Sequence, residues 1–181
     1  AILTSKDHST GTDRIYEALE KISDDSINII INLQGDMPNL DPDNIRNLEY
    51  LMRNNKYDIG TLASKIQNTE ELQNTSIVKV ETFENLDYSK FLKTKDFFRQ
   101  TINTNNKNIY HHIGIYAFSK NALSRYAKLS RSKNEIERKL EQMRALDNNI
   151  EIKVALSKSF PIGVDTKEDF LLIKKSMEYK E

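Results

Sequence analysis

Ile27-Asn28-Ile29-Ile30-Ile31-Asn32-Leu33, followed at once by Gln34-Gly35-Asp36-Met37-Pro38 and then by Asp41-Pro42, is the stretch that decides the fold. Seven short-spaced residues, β-branched and apolar nearly throughout, read as a central strand covered on both faces, because such a strand has no solvent side to fill with polar groups. Gln34 to Pro38 ends it in a sharp turn. Asp41 then offers a helix cap and Pro42 the preset φ of a first helical position. Ile45, Leu48, Leu51 and Met52 keep helical spacing as far as Asn54-Asn55. Strand, turn and capped helix make the repeating unit of an α/β sheet.

Working outward, Ala1-Ile2-Leu3-Thr4 reads as the end of another buried strand, and residues 5–11 as a polar loop. Thr12 can cap a helix to about Lys21, with Ile15, Leu19 and Ile22 on one face. Downstream the pattern predicts a strand over 59–66, a short helix near Glu70, a strand opening at Ile77-Val78-Lys79-Val80, a polar linker over 103–108 and an apolar strand over 110–118. Helices follow at 121–128 and 134–146, the second striped by Ile136, Leu140, Met143 and Leu146, and then a strand at 151–156. Gly163-Val164-Asp165 is a turn, and Thr166 to Asp169 opens a last helix with a capping box closed by Asp. Alternation at both ends predicts one three-layer α/β domain over 1–181 with a mainly parallel sheet. Residues 77–118 lose the alternation and read as a β-rich insertion.

Composition narrows the function. The 181 residues are enough for one domain with a real core. Lys+Arg 27 against Asp+Glu 27 excludes a basic protein that neutralises a nucleic-acid backbone. The absence of cysteine excludes disulfides, thiolate metal sites and thiol nucleophiles, and agrees with a cytoplasmic setting. No apolar run is long enough to span a membrane or to form a signal peptide. The chain opens at Ala1, inside a strand-like run and without an initiator Met, which suggests a fragment of a longer protein.

Three segments can carry chemistry. Asp36 leaves the carboxyl end of a strand, where open sheets bind ligands. After Gly35 it suits a hard divalent cation, and it equally suits a turn whose carboxylate caps local amides. Asp165 reads alone as a helix cap; converging with Asp36, it would complete a Mg²⁺ site. Thr10, Gly11 and Thr12 precede a helix and can bond a base or an anion, or simply start the helix. His111 and His112 point to opposite strand faces, so the pair does not chelate one ion, and at most one faces a given pocket. Glu141 and Gln142 lie in a charge-dense segment that is otherwise a solvated face.

Six segments in order resemble one family, the 3-deoxy-manno-octulosonate (Kdo) cytidylyltransferases. They are Asp7-His8 with Gly11-Thr12 and Arg14; Asn32 to Asp36 with Pro38; Val78-Lys79-Val80; His112 to Tyr116; Leu140 to Arg144; and Gly163 to Thr166 with Glu168-Asp169. Thr10, Met37, His111 and Arg138 depart from the family's usual residues. The resemblance implies a Rossmann-like nucleotide-diphospho-sugar transferase fold and transfer of CMP from CTP to the anomeric hydroxyl of Kdo, giving CMP-Kdo and pyrophosphate for lipopolysaccharide synthesis. It implies Asp36 and Asp165 as catalytic metal carboxylates for Mg²⁺, with Thr10 and Gly11 beside the cytosine. Gln34, His112, Tyr116, Glu141 and Gln142 would contact the sugar acid, with His111 turned away. It also implies a homodimer formed through 77–118 and no nucleic-acid or membrane partner. The family's glycine- and arginine-containing triphosphate loop has no match here, so the chain alone is expected to be inactive. A cytidylyltransferase for another acid sugar of the nonulosonate type, or a non-catalytic module of the same fold, remain the alternatives.

Overall fold

A computed structural model describes residues 1–100, 106–159, 161, 163–164 and 166–178. In chain order its elements are α1 (Gly11–Ile22), β1 (Ile29–Asn32), α2 (Pro42–Asn55), β2 (Ile59–Lys65), α3 (Thr69–Gln73), β3 (Lys79–Thr82), β4 (Leu92–Phe98), β5 (Ile109–Ser119), α4 (Lys120–Ala127), α5 (Lys133–Arg138), α6 (Met143–Asp147), β6 (Ile152–Leu156) and α7 (Lys167–Glu178). The starts follow the sequence chemistry. Thr10, rather than Thr12, caps α1 by accepting from the Asp13 amide, and Asp41 caps α2 with Pro42 first in the helix. Thr166 and Asp169 close the expected box at α7. Among the described residues, no helix is long and apolar enough to cross a membrane.

The six strands form one sheet in the order β1-β5-β2-β6-β4-β3. The start of β5 also pairs with β3, Lys79 opposite His111, so five strands close into a ring of hydrogen-bonded neighbours. Strands β1, β2, β3 and β6 share one direction, as an α/β sheet requires. Adjacency is another matter: among the described residues β2–β6 is the one parallel pair, because β4 and β5 run the other way and β5 sits between β1 and β2. Residues 77–118 cause this. Strand β3 pairs antiparallel with both β4 and β5, and β4 pairs antiparallel with β6, so the two strands that follow β3 share the opposite direction. These strands are built into the sheet, with β5 near its centre.

Two further expectations change. The 27–33 stretch yields β1 at an edge of the sheet, paired among the described residues with β5 alone and half-buried except at Asn32. Residues 1–4 form no strand, and Leu3 is 89% exposed, since no described strand lies beside them. Residues 103–105 of the expected linker fall outside the described residues.

The layers are as expected. On one face, Leu48, Leu51 and Met52 of α2 pack on Leu62, Ile113, Ile115 and Ala117. Gly60 permits this approach: a Cβ there would meet Met52 Sδ at 2.7 Å and Phe91 Cζ at 3.0 Å. On the other face, Leu19, Leu123, Tyr126, Leu140 and Met143 pack on Ile59, Val80, Phe97, Phe118 and Ile152. The cavity opens on this second side.

Candidate active site

Strand β5 supplies the floor. Its register against β2 jumps between Thr61, opposite Tyr116, and Leu62, opposite Ile113. The two extra residues of this bulge preserve the alternation, so His112, Gly114 and Tyr116 share the cavity face while Ile113 and Ile115 enter the α2 core. The expected orientation of His111 also holds: it donates from Nδ1 to Glu71 (2.5 Å), away from the cavity.

The rim comes from loops. Gly11 opens α1, and Gln34 and Asp36 leave β1. Glu141 and Gln142 follow α5, which stops at Lys139 in the left-handed conformation, φ 54°. The single helix expected over 134–146 is therefore two short helices. The break is what turns Glu141 and Gln142 inward.

Together these segments enclose about 390 Å³. Gly11, Gln34, Asp36, His112, Tyr116, Glu141 and Gln142 all line it. Thr10 caps α1 just outside the lining, its hydroxyl beside Glu141. Asp165 lies outside the described residues, but its neighbour Val164 donates its amide to the Asp36 carbonyl at 2.8 Å, so the two turns are joined.

The sequence reading missed Asn32, Arg99 and Lys139, which also line the cavity. Asn32 stands in the sequence as a strand residue and as the start of the Asn32-to-Asp36 motif, with no role of its own; buried, it accepts from Gln34 Nε2 (2.6 Å) and lies 3.4 Å from Thr12 Oγ1. Arg99 directly follows β4, where an arginine looks like any solvated strand end; its guanidinium reaches the Thr75 and Ser76 carbonyls, both at 3.1 Å. Arg138, a departure from the family pattern, pairs with Asp96 (2.6 Å) outside the lining.

The electrostatics favour a polar, partly anionic ligand. His112 is wedged between Phe97 and Tyr116, with ring centroids 5.2 and 5.4 Å away. Burial pushes its pKa down to about 3, with nearby His111 acting in the same direction, so it is neutral at ordinary pH. Burial raises Glu141, which the Thr12 hydroxyl, Arg144 and Thr10 only partly offset. The Tyr116 hydroxyl is raised well above its usual range, first by burial and then by Glu141, with the nearby Thr61 hydroxyl opposing, and it is buried without a well-formed hydrogen bond among the described residues. An orphaned buried hydroxyl costs about 1–3 kcal/mol, which a ligand or water atom in the cavity would recover.

Behind this wall, Arg144 is 2% exposed and grips Glu135 through two bonds, Nε at 2.8 Å and Nη2 at 2.7 Å. Tyr126, under the Arg144 guanidinium, donates to the Glu141 carbonyl at 2.7 Å. The Leu140-to-Arg144 segment is thus anchored from both sides.

Comparison with known proteins agrees with this architecture. Residues 1–152 match the family model described as cytidylyltransferase. A 3-deoxy-manno-octulosonate cytidylyltransferase of Brucella canis is 41% identical over 170 residues, 93% of this chain and 67% of the relative. A solved CMP:2-keto-3-deoxy-manno-octonic acid synthetase complexed with CTP superposes with TM-score 0.84 at 30% identity, over 100% of this chain and 73% of that one. An apo UDP-glucose pyrophosphorylase, TM-score 0.69 at 10% identity over 99% of this chain and 63% of that one, shares the fold. The chain belongs to the cytidylyltransferase family and, within it, to the 3-deoxy-manno-octulosonate cytidylyltransferases.

Proposed function

We propose that the protein transfers CMP from CTP to the anomeric hydroxyl of 3-deoxy-D-manno-octulosonate. One observation carries this reading: Gly11, Gln34 with Asp36, His112 with Tyr116, and Glu141 with Gln142, drawn from four separate segments, converge on one cavity. In the reaction the sugar oxygen forms a bond to the α-phosphorus as its hydroxyl proton passes to solvent, the bond to the bridging oxygen breaks, and pyrophosphate leaves. The chain's part is positioning. His112, Tyr116, Gln34, Glu141 and Gln142 hold the sugar acid; Gly11, with Thr10, borders the base; Arg99 and Lys139 offset negative charge.

Mg²⁺ fits the residues present, since Asp36 is a hard oxygen donor on the cavity wall, on a turn hydrogen-bonded to the residue before Asp165. Asp36 and Asp165 would hold it, and when bound it neutralises phosphate charge. A homodimer in the cytoplasm completes the proposal. Phe83 (60% exposed) and Tyr88 (48%) give the 77–118 segment apolar surface for a second copy.

The test is pyrophosphate release by the complete protein with CTP, Mg²⁺ and either Kdo or a nonulosonate. Turnover that needs Kdo supports the proposal; turnover with the nonulosonate alone, or with neither sugar, contradicts it.

A further inference from the structure

Beneath the cavity floor, Thr61 occupies a position that neither the motifs nor the lining draws attention to. It is fully buried, and its hydroxyl makes three hydrogen-bond contacts, with the Tyr116 side chain also against it. The Ile115 carbonyl lies at 2.8 Å, the Ile113 carbonyl at 3.3 Å and His112 Nε2 at 3.1 Å. A hydroxyl has one hydrogen to give. A carbonyl oxygen can only accept, and at 2.8 Å from an oxygen that aimed its hydrogen elsewhere it would be repelled. The hydrogen therefore goes to Ile115, on the bulge of β5.

What remains on Thr61 is acceptor capacity, so the His112 contact must run the other way, from Nε2–H to Oγ1. A neutral imidazole carries one N–H. Placing it on Nε2 leaves Nδ1 as a bare acceptor. His112 is 8% exposed and lines the cavity, and no other described group bonds the ring. Phe97 and Tyr116 restrict its rotation.

We propose that Thr61 is a positioning residue that fixes His112 as the Nε2–H tautomer, so that His112 meets the substrate as a hydrogen-bond acceptor and reads a hydroxyl of the sugar, not its carboxylate. This rests on the sugar-site reading above and makes it more specific. A neutral acceptor repels a carboxylate oxygen, which leaves the acid group to donors such as the Tyr116 hydroxyl or the Arg99 and Lys139 cations. The depressed pKa of His112 agrees with this, since protonation would add a second N–H and destroy the distinction. A site whose acceptor matches a substrate hydroxyl rejects the deoxy analogue strongly, because the buried acceptor is then left unpaired.

The test has two arms. Nitrogen-15 spectra of the histidine rings in the ligand-free protein report the tautomer directly. Wild type should show His112 with Nε2 protonated and Nδ1 bare, Thr61→Ser should keep that state, and Thr61→Val should lose it. A wild-type His112 protonated on Nδ1 overturns the proposal whether or not the valine variant folds.

The second arm is a pair of saturation curves for the complete protein. Thr61→Val should raise the KM for Kdo roughly tenfold, the scale of one hydrogen bond, leave that for CTP within about twofold, and be rescued by serine. An unchanged Kdo curve in a valine variant with altered tautomer overturns the hydroxyl-reading role. The spectra do not depend on what the cavity binds, whereas His112→Ala kinetics test the sugar site itself, so failure of one reading is distinguishable from failure of the other.

Discussion

Gly11 shows how narrowly one position can be set. A Cβ there would lie 2.8 Å from Gln34 Nε2, the atom that Gln34 uses to bond Asn32. Gly11→Ala should therefore push Gln34 off Asn32 and raise the KM for Kdo, on the order of tenfold for one lost hydrogen bond. Stability should hold or improve, because alanine is the better helix former by about 1 kcal/mol. A thermal melt beside a Kdo saturation curve checks both halves; a lowered melting temperature with normal kinetics would contradict the arrangement. Asp36 tests the metal assignment in the same way. Asp36→Asn keeps the backbone carbonyl that accepts from Val164, so the turn survives while the charge is lost. Turnover should fall at least about a hundredfold, roughly 2.7 kcal/mol of barrier, with a melting temperature near wild type. Near-normal turnover would reduce Asp36 to a turn residue. Asp36, His112 and Tyr116 were legible in the sequence because strand-end placement and strict alternation are local properties. Arg99 and Thr61 were not, since what matters in each is a partner far along the chain.

Among the elements, α2 and the α5–α6 pair mark the limits of pattern reading. The α2 stripe was readable from its period, and its fit on β2 depends on Gly60 having no side chain. Gly60→Ala sets a Cβ against Met52, Phe91 and Leu48 and should cost about 1–3 kcal/mol by overpacking, measured as a shift in the urea midpoint with unchanged slope. No change in midpoint would mean that α2 can move away freely. For residues 134–146 the apolar period was equally clear, yet the helix breaks at Lys139. The cause is tertiary. Arg144 must turn back to Glu135, which also completes the Ser132 capping box, and the intervening residues give up helical bonds to make that pair. Removing one partner of such a buried pair typically costs about 3–5 kcal/mol. Strand direction was hidden for a related reason, because periodicity reports burial and says nothing of which neighbour a strand will choose.

For the whole molecule, acidity and ligand discrimination give the sharpest tests. Burial holds both His112 and His111 below the ordinary histidine value, His112 at about 3. In the unfolded chain both titrate near about 6.5, so below that pH the unfolded state binds protons that the folded state refuses. Stability is fully present above about 6.5 and falls as the pH drops toward the folded value. Urea midpoints should decline from about pH 7.5 to about pH 5, and His112→Gln should flatten the decline; a flat or rising wild-type profile would contradict a buried neutral His112. The most direct measurement of the central claim, that this cavity holds the sugar acid, is a pair of saturation curves for His112→Ala in the complete protein, one in Kdo at saturating CTP and one in CTP at saturating Kdo. The expected result is a Kdo curve displaced about ten- to a hundredfold, one lost hydrogen bond with its packing, and a CTP curve left in place. A displaced CTP curve with an unmoved Kdo curve would assign the cavity to the nucleotide and overturn the claim.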